Sequence, residues 1–119
     1  MAPGEEGKEM DSPVLRGPDG ECCWVETPDG WWVEVEELDP RAMTMYLLAR
    51  KARWVSMMFS PLADGASRLT YRWDVAGRSL NIVTTVAGRR VGSVADLLPA
   101  ATASERELHE RFAIEFAPA

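Results

Sequence analysis

The sequence predicts an α+β domain, in which an antiparallel sheet, made of a hairpin and a three-strand meander, has helices packed on one face. Three observations predict this class. Apolar and polar residues alternate over residues 68–75 and 79–87, as in strands with one buried face. Short turns separate successive strands, which favours antiparallel pairing. Stretches of helix-forming residues lie between and after the strands, and helices of this kind cover one face of the sheet.

The length fits one domain with one hydrophobic core. Of the 119 residues, 46% are apolar and 27% are charged, as in an ordinary globular protein. Residues 1–20 are rich in proline, glycine and acids and show no regular period, so we expect a flexible acidic leader before a single domain at residues 21–119. No apolar run approaches the roughly 20 residues of a membrane helix, and the amino terminus lacks a signal-peptide pattern. We therefore expect a cytoplasmic protein.

Negative charge is concentrated at the amino end. Residues 1–30 carry eight acids and two bases, a net of −6, whereas residues 31–119 carry eleven of each. An acidic surface disfavours nucleic acid, because phosphate binding needs clustered lysine and arginine. We therefore expect no nucleic-acid partner.

The first predicted strands form a hairpin. Residues 22–26 and 31–36 flank the turn sequence Thr27-Pro28-Asp29-Gly30. Trp31 and Trp32 point to opposite faces of the second strand, so one of them should be partly exposed, either as a docking residue or as an edge aromatic. Adjacent Cys22 and Cys23 offer neither redox-motif spacing nor a zinc ligand set, and we expect both thiols to be reduced.

A helix and three strands follow. Asp39 and Pro40 begin a helix that reaches about residue 52. Its broad apolar stripe is predicted to lie on the sheet. The stripe consists of Ala42, Met45, Leu48, Ala49 and Ala52, flanked by Met43, Tyr46 and Leu47. Residues 53–60 are almost continuously apolar, which is typical of a central strand. Residues 68–75 are predicted to form a strand that buries Leu69, Tyr71, Trp73 and Val75 and exposes its opposite face to solvent. Residues 79–87 complete the meander.

Two short helices and an extended tail are predicted at the carboxyl end. Ser93 can cap a helix at residues 94–98, which Pro99 ends. Ser104 and Glu107 form a capping-box pattern for a second helix, in which Glu107 and Arg111 stand four residues apart. Apolar residues then alternate, at Phe112, Ile114 and Phe116, as in an extended segment.

The sequence offers little catalytic chemistry. His109 is the only histidine, and Glu105, Glu107 and Glu110 lie near Arg106 and Arg111, whose charges favour ionised carboxylates. No glycine-rich phosphate loop is present. A small enzyme that uses His109 or the thiols remains one hypothesis, and a binding or scaffold protein is the other class.

Four segments resemble the thirty-kilodalton subunit family of NADH-quinone oxidoreductase, the respiratory complex I, whose short relatives occur in energy-converting hydrogenases. The segments are residues 53–58, 69–73, 91–101 and 105–116. The last is similar to the family pattern E-R-E-x-x-D-x-F-G-I-x-F. Glu110 replaces the usual aspartate and Ala113 the usual glycine, which predicts that a left-handed backbone is lost at residue 113. The chain also stops at Ala119, before the basic tail of full-length members.

The resemblance implies a non-catalytic structural subunit of an NADH dehydrogenase (quinone)-like or membrane-bound hydrogenase-like electron-transfer complex. Its partners would be the cluster-bearing and large catalytic subunits, with an iron–sulfur cluster in a partner and no cofactor in this chain. The protein would lie on the inner face of the cell membrane, attached only through the complex. The implied interface comprises Glu105, Arg106, Glu107, Phe112, Ile114 and Phe116. The alternative is a detached protein-binding module with the same fold.

Overall fold

A computed structural model describes residues 25–63 and 65–117. The predicted leader at residues 1–20, together with Cys22 and Cys23, lies outside the described residues. In chain order the elements are β1 (Val25–Thr27), β2 (Gly30–Glu34), α1 (Pro40–Ala49), β3 (Arg53–Pro61), β4 (Ser67–Val75), β5 (Arg78–Val86), β6 (Arg90–Gly92), α2 (Ala101–Phe112) and β7 (Glu115–Ala117).

In the described part of the chain the main sheet has five strands, in the order β1-β2-β5-β4-β3. The hairpin β1–β2 and the meander β3–β4–β5 are antiparallel, so the predicted α+β class and both strand units are confirmed. The two units join through β2 and β5, which pair in parallel. This arrangement follows from the crossover α1, which carries the chain from β2 past two strands to β3.

The hairpin turn has the predicted residues at its tip. Thr27 pairs with Gly30, and Trp31 lies inside the core. Trp32 is half-buried and its indole nitrogen donates to Thr27 Oγ1 at 3.1 Å. One tryptophan of the pair is therefore partly exposed, as predicted.

Strand β3 lies at the edge of the sheet, so the prediction of a central strand for residues 53–60 was wrong. Its apolar run combines core-facing side chains with exposed ones. Met57 is buried, whereas Val55 and Met58 are 51% and 41% exposed. A bulge between Trp54 and Ser56 interrupts the pairing with β4, a common feature of sheet edges.

The buried face of α1 also differs from the prediction. Asp39 caps the helix as expected, since its carboxylate accepts from the backbone N–H of Arg41 at 3.0 Å and of Ala42 at 3.3 Å. The residues turned into the core are Met43, Thr44 and Leu47, while the predicted Met45 and Leu48 are exposed. Apolar residues occur all round this helix, so periodicity could not fix which side is buried.

Strand β4 buries Leu69, Tyr71 and Trp73 as predicted, whereas Val75 is half-buried. The opposite face of the sheet is less exposed to solvent than predicted, because Thr70 of β4 and Asn81 of β5 are buried there. Asn81 accepts a hydrogen bond from Arg72 Nε at 2.8 Å and donates to the Trp31 carbonyl at 3.1 Å. The strands β4 and β2, on either side of β5, thus satisfy the Asn81 side chain.

The region before α2 departs from the prediction in two ways. Residues 94–98 make one hydrogen-bonded turn, with Leu98 N–H donating to the Val94 carbonyl at 2.9 Å, and not a helix. Helix α2 begins at Ala101, and its cap residue Ala100 makes no side-chain bond. The predicted start at Ser104 and its capping box were therefore wrong. A helical turn at Pro99 and Ala100 leads directly into α2, so no separate side-chain cap is used.

The carboxyl end matches the predicted change of period. Residues 115–117 form β7, which pairs in parallel with β6 in a second, two-stranded sheet. Glu107 and Arg111 approach to 3.6 Å on the exposed side of α2, in the predicted order. Leu108 and Ile114 are buried in the same core as the sheet residues Tyr71, Trp73 and Ile82.

Ala113 ends α2 in a left-handed conformation, with φ 56° and ψ 35°, and its N–H donates to the His109 carbonyl at 3.0 Å. The expectation that alanine would exclude this backbone was wrong. A left-handed alanine costs about 1–2 kcal/mol relative to its preferred region. Packing of Ile114 into the core holds the chain in this conformation despite the cost.

Replacing Ala113 with glycine is expected to raise the free energy of unfolding by about 1 kcal/mol, because glycine adopts positive φ without this strain. Urea unfolding followed by circular dichroism measures the change. Ala103→Gly is the matched control, since Ala103 is exposed inside α2. The control should lose about 1 kcal/mol. Equal losses in both variants would contradict the assigned strain.

Candidate partner-binding site at the carboxyl-terminal helix

Glu105 ties α2 to the turn at residues 94–98. Its carboxylate accepts from Ser93 Oγ at 2.7 Å and from the Val94 backbone N–H at 2.9 Å. The residue is buried. Both carboxylate oxygens of Glu105 thus accept hydrogen bonds within the domain, one from a hydroxyl and one from an amide. These bonds, and not the expected pairing with Arg106 and Arg111, fix the Glu105 side chain.

The same carboxylate affects the core beneath it. The pKa of Tyr71 is raised well above its ordinary value, first by burial and second by the negative charge of Glu105. The Tyr71 hydroxyl is buried and has no hydrogen-bond partner among the described residues. Neither the Tyr71 hydroxyl nor the Glu105 carboxylate faces open solvent. Both groups therefore contribute to the packing of the domain.

Ser93 has two roles that the sequence revealed only in part. As predicted, its hydroxyl caps the following turn, where it accepts from Ala95 N–H at 3.2 Å. It also donates to Glu105, a contact across twelve residues that no local pattern could signal. The nearby turn is held to α1 by an ion pair between Arg41 and Asp96 at 2.6 Å, which lowers the pKa of Asp96.

The carboxyl end of α2 is closed by side chains from other elements. Arg89 donates to the Phe112 carbonyl, and its guanidinium lies 5.4 Å from the centre of the Phe59 ring. The centres of the Phe59 and Phe112 rings are 4.5 Å apart. His109 Nδ1 lies 2.8 Å from the Ile114 carbonyl oxygen. A cation at this helix end complements the exposed carbonyl groups.

The six residues of the predicted interface fall into three environments. Glu105 and Ile114 are buried, Phe112 and Phe116 are half-buried, and Arg106 and Glu107 are exposed. Side chains that can contact a partner directly are therefore those of the last four. Arg89, Arg90 and Ser93 complete the region, and of these three the sequence patterns singled out only Ser93.

An open groove of about 540 Å³ runs between α2 and β7. Arg106 and His109 line it from the helix, Phe116 and Ala117 line it from the strand, and Arg90 lines it from β6. Among residues 25–63 and 65–117, no three histidine, cysteine or acidic side chains are grouped so as to hold a metal ion. Nor does any helix in that part of the chain have the length and apolar character to span a membrane.

The whole arrangement is similar to that of a solved protein. A trypsin-resistant fragment of Nqo5 matches with a TM-score of 0.65 at 18% sequence identity, over 94% of this chain and 90% of the fragment. This chain has the Nqo5 fold. Neither a protein-family model nor a curated protein matches the sequence.

The likeness to Nqo5 extends beyond the main sheet. The match with Nqo5 leaves 6% of the 119 residues uncovered, which is about seven residues. Helix α2 has twelve residues. At least part of α2 is thus included in the match with Nqo5.

Proposed function

We propose that this chain is a non-catalytic structural subunit of an electron-transfer complex of the NADH dehydrogenase (quinone) or membrane-bound hydrogenase type. The observation that carries the proposal is the match to Nqo5 over nearly the full length of both chains. Nqo5 is a complex I subunit of the thirty-kilodalton type. The same family was indicated independently by the order of four sequence segments. Two separate lines of argument thus support a place in the same kind of complex.

The contacts around α2 support an interface at this end of the domain. Arg106 and Glu107 are exposed, and Phe112 and Phe116 keep part of their rings accessible. Glu105 and Ile114 fix the helix and the strand that present these side chains. In this proposal the two buried residues shape the interface and the other four contact the partner.

The proposed partners are the cluster-bearing and large catalytic subunits of the complex. They would carry the iron–sulfur cluster, and this chain would bind no cofactor. Its place would be the inner face of the cell membrane, reached through those subunits. A detached binding module with the same fold is the alternative that the experiment below distinguishes.

Charge reversal at Arg106 tests the interface. The full chain, tagged in its own organism and purified in mild detergent, should bring down a large assembly with a cluster-bearing subunit. Arg106→Glu should lower the yield of that assembly at least tenfold, since the reversed charge would repel an acidic partner group that the arginine attracts. Lys51→Glu is the control, at an exposed cation just after α1. A tagged chain that stays monomeric would leave only the detached module.

A further inference from the structure

One wall of the groove between α2 and β7 is a strand edge that no other strand at residues 25–63 or 65–117 pairs with. Glu115 N–H donates to the Arg89 carbonyl at 2.7 Å, and Ser93 N–H donates to the Ala117 carbonyl at 2.8 Å. Residues 115 and 117 therefore direct their backbone polar groups toward β6. In an extended strand the residue between them directs its groups the opposite way. The N–H and C=O of Phe116 thus lie on the edge away from β6, toward α2.

No strand in the described part of the chain occupies that edge. Among the described residues, the small sheet contains β6 and β7 only. The Ile114 carbonyl, just before β7, is already bonded to His109. What remains open is the edge at Phe116, which lines the groove together with Ala117. An extended segment can add to such an edge through backbone hydrogen bonds.

The charges beside the edge indicate the chemistry of that segment. Arg90 and Arg106 line the groove from opposite sides, and neither forms an ion pair with a described carboxylate. Glu105 is buried and both of its oxygens are engaged by Ser93 and Val94. Glu115 is the one exposed acid among the lining residues. The solvent-facing charge of the groove is therefore positive.

We infer that this groove binds an extended, acidic segment of a protein partner, which pairs with the free edge of β7 and places its carboxylates against Arg90 and Arg106. The inference deepens the proposed function, since the groove adjoins the proposed interface, and it names the partner's chemistry. Arginine suits this role because its planar donors bind carboxylates in pairs. An acidic helix would satisfy the arginines and leave the strand edge unpaired, so the extended form fits better.

A pair of synthetic peptides tests the groove on the full chain. The probe is a six-residue peptide of alternating valine and glutamate, blocked at both ends, and the control peptide has lysine in place of glutamate. Isothermal titration should show binding of the acidic peptide only. Arg90→Glu with Arg106→Glu should weaken that binding at least tenfold, whereas Arg90→Lys with Arg106→Lys should stay within about threefold.

Other outcomes would overturn the inference. These are equal binding of both peptides, unchanged binding by the charge-reversed chain, or full displacement of the peptide by equimolar inorganic phosphate, which would leave a simple anion site. A peptide methylated at its backbone nitrogens should bind at least tenfold more weakly, and equal affinity would exclude strand pairing. Circular dichroism shows whether each variant is folded.

A second measurement separates this inference from the proposed function. A photo-crosslinking residue at Thr102, which lines the groove, should capture an acidic segment of a partner subunit within the assembly. The same residue at exposed Thr85 on β5 is the control. An assembly that forms normally without a crosslink at Thr102 would refute the groove and leave the proposed function intact. Peptide binding by a chain that never assembles would do the reverse.

Discussion

Replacing Glu105 with alanine is expected to lower the free energy of unfolding by about 2–4 kcal/mol. The carboxylate accepts two hydrogen bonds, and one donor is the Val94 backbone N–H. Hydrogen bonds to a charged group contribute about 1.5–3 kcal/mol each, and a buried amide left without a partner adds a penalty of about 1–3 kcal/mol. These terms overlap in one contact, so the expected total lies below their sum.

Urea unfolding of Glu105→Ala beside Glu107→Ala measures this effect. Glu107 lies on the same helix, two residues away, and makes only an exposed pair with Arg111. Its loss should cost about 0.5 kcal/mol or less. The Ser93→Ala variant should lose part of what Glu105→Ala loses, and the double variant should lose less than the sum because both residues share one bond. Similar small losses at positions 105 and 107 would show that Glu105 does not tie α2 to the turn.

Replacing Gly30 with alanine is expected to have an effect of similar size, at about 3 kcal/mol or more. Gly30 begins β2 with φ 121°, a conformation that side chains disfavour. An added Cβ would also overlap the Ser79 carbonyl oxygen and lie 2.7 Å from the Ser79 Cβ. Since β2 and β5 form the parallel junction of the sheet, relief of this overlap would separate the hairpin from the meander.

Gly77→Ala is the matched control for that change. Gly77 also has positive φ, at 83°, but an added Cβ would meet nothing within 4 Å. Its cost should be the backbone strain alone, about 1–2 kcal/mol. Thermal and urea unfolding of both variants gives the comparison. If Gly30→Ala were no more costly than Gly77→Ala, close packing at the junction would not be what requires glycine there.

The sequence predicted the individual strands and helices better than it predicted which of them lie next to one another. The Thr27–Gly30 turn and the alternation in β4 depend on residues close in the chain, so local patterns could reveal them. The edge position of β3 depends on where the chain returns after α1, which no local pattern encodes. The buried side of α1 failed for a related reason, because an apolar sequence on all sides permits several orientations.

The candidate site shows the same division. The exposed pair of Glu107 and Arg111 was predictable from a spacing of four residues. Glu105 was read as one more acid of a charged helix, and its burial depends on Ser93 and Val94, which lie twelve and eleven residues earlier. Ala113 was judged from intrinsic preference, which tertiary packing overrides at a cost of about 1–2 kcal/mol. Long-range contacts, rather than residue type, decide these positions.

We propose that this chain supports an electron-transfer assembly whose redox groups belong to its partners. The most direct test of this proposal is the iron and acid-labile sulfide content, with low-temperature electron paramagnetic resonance, of two preparations: the assembly purified through this chain, and the chain expressed and purified alone. We expect cluster signals that reduction makes visible in the assembly and none in the isolated chain. A stoichiometric cluster in the isolated chain, or an endogenous preparation that contains no redox-active partner, would contradict it.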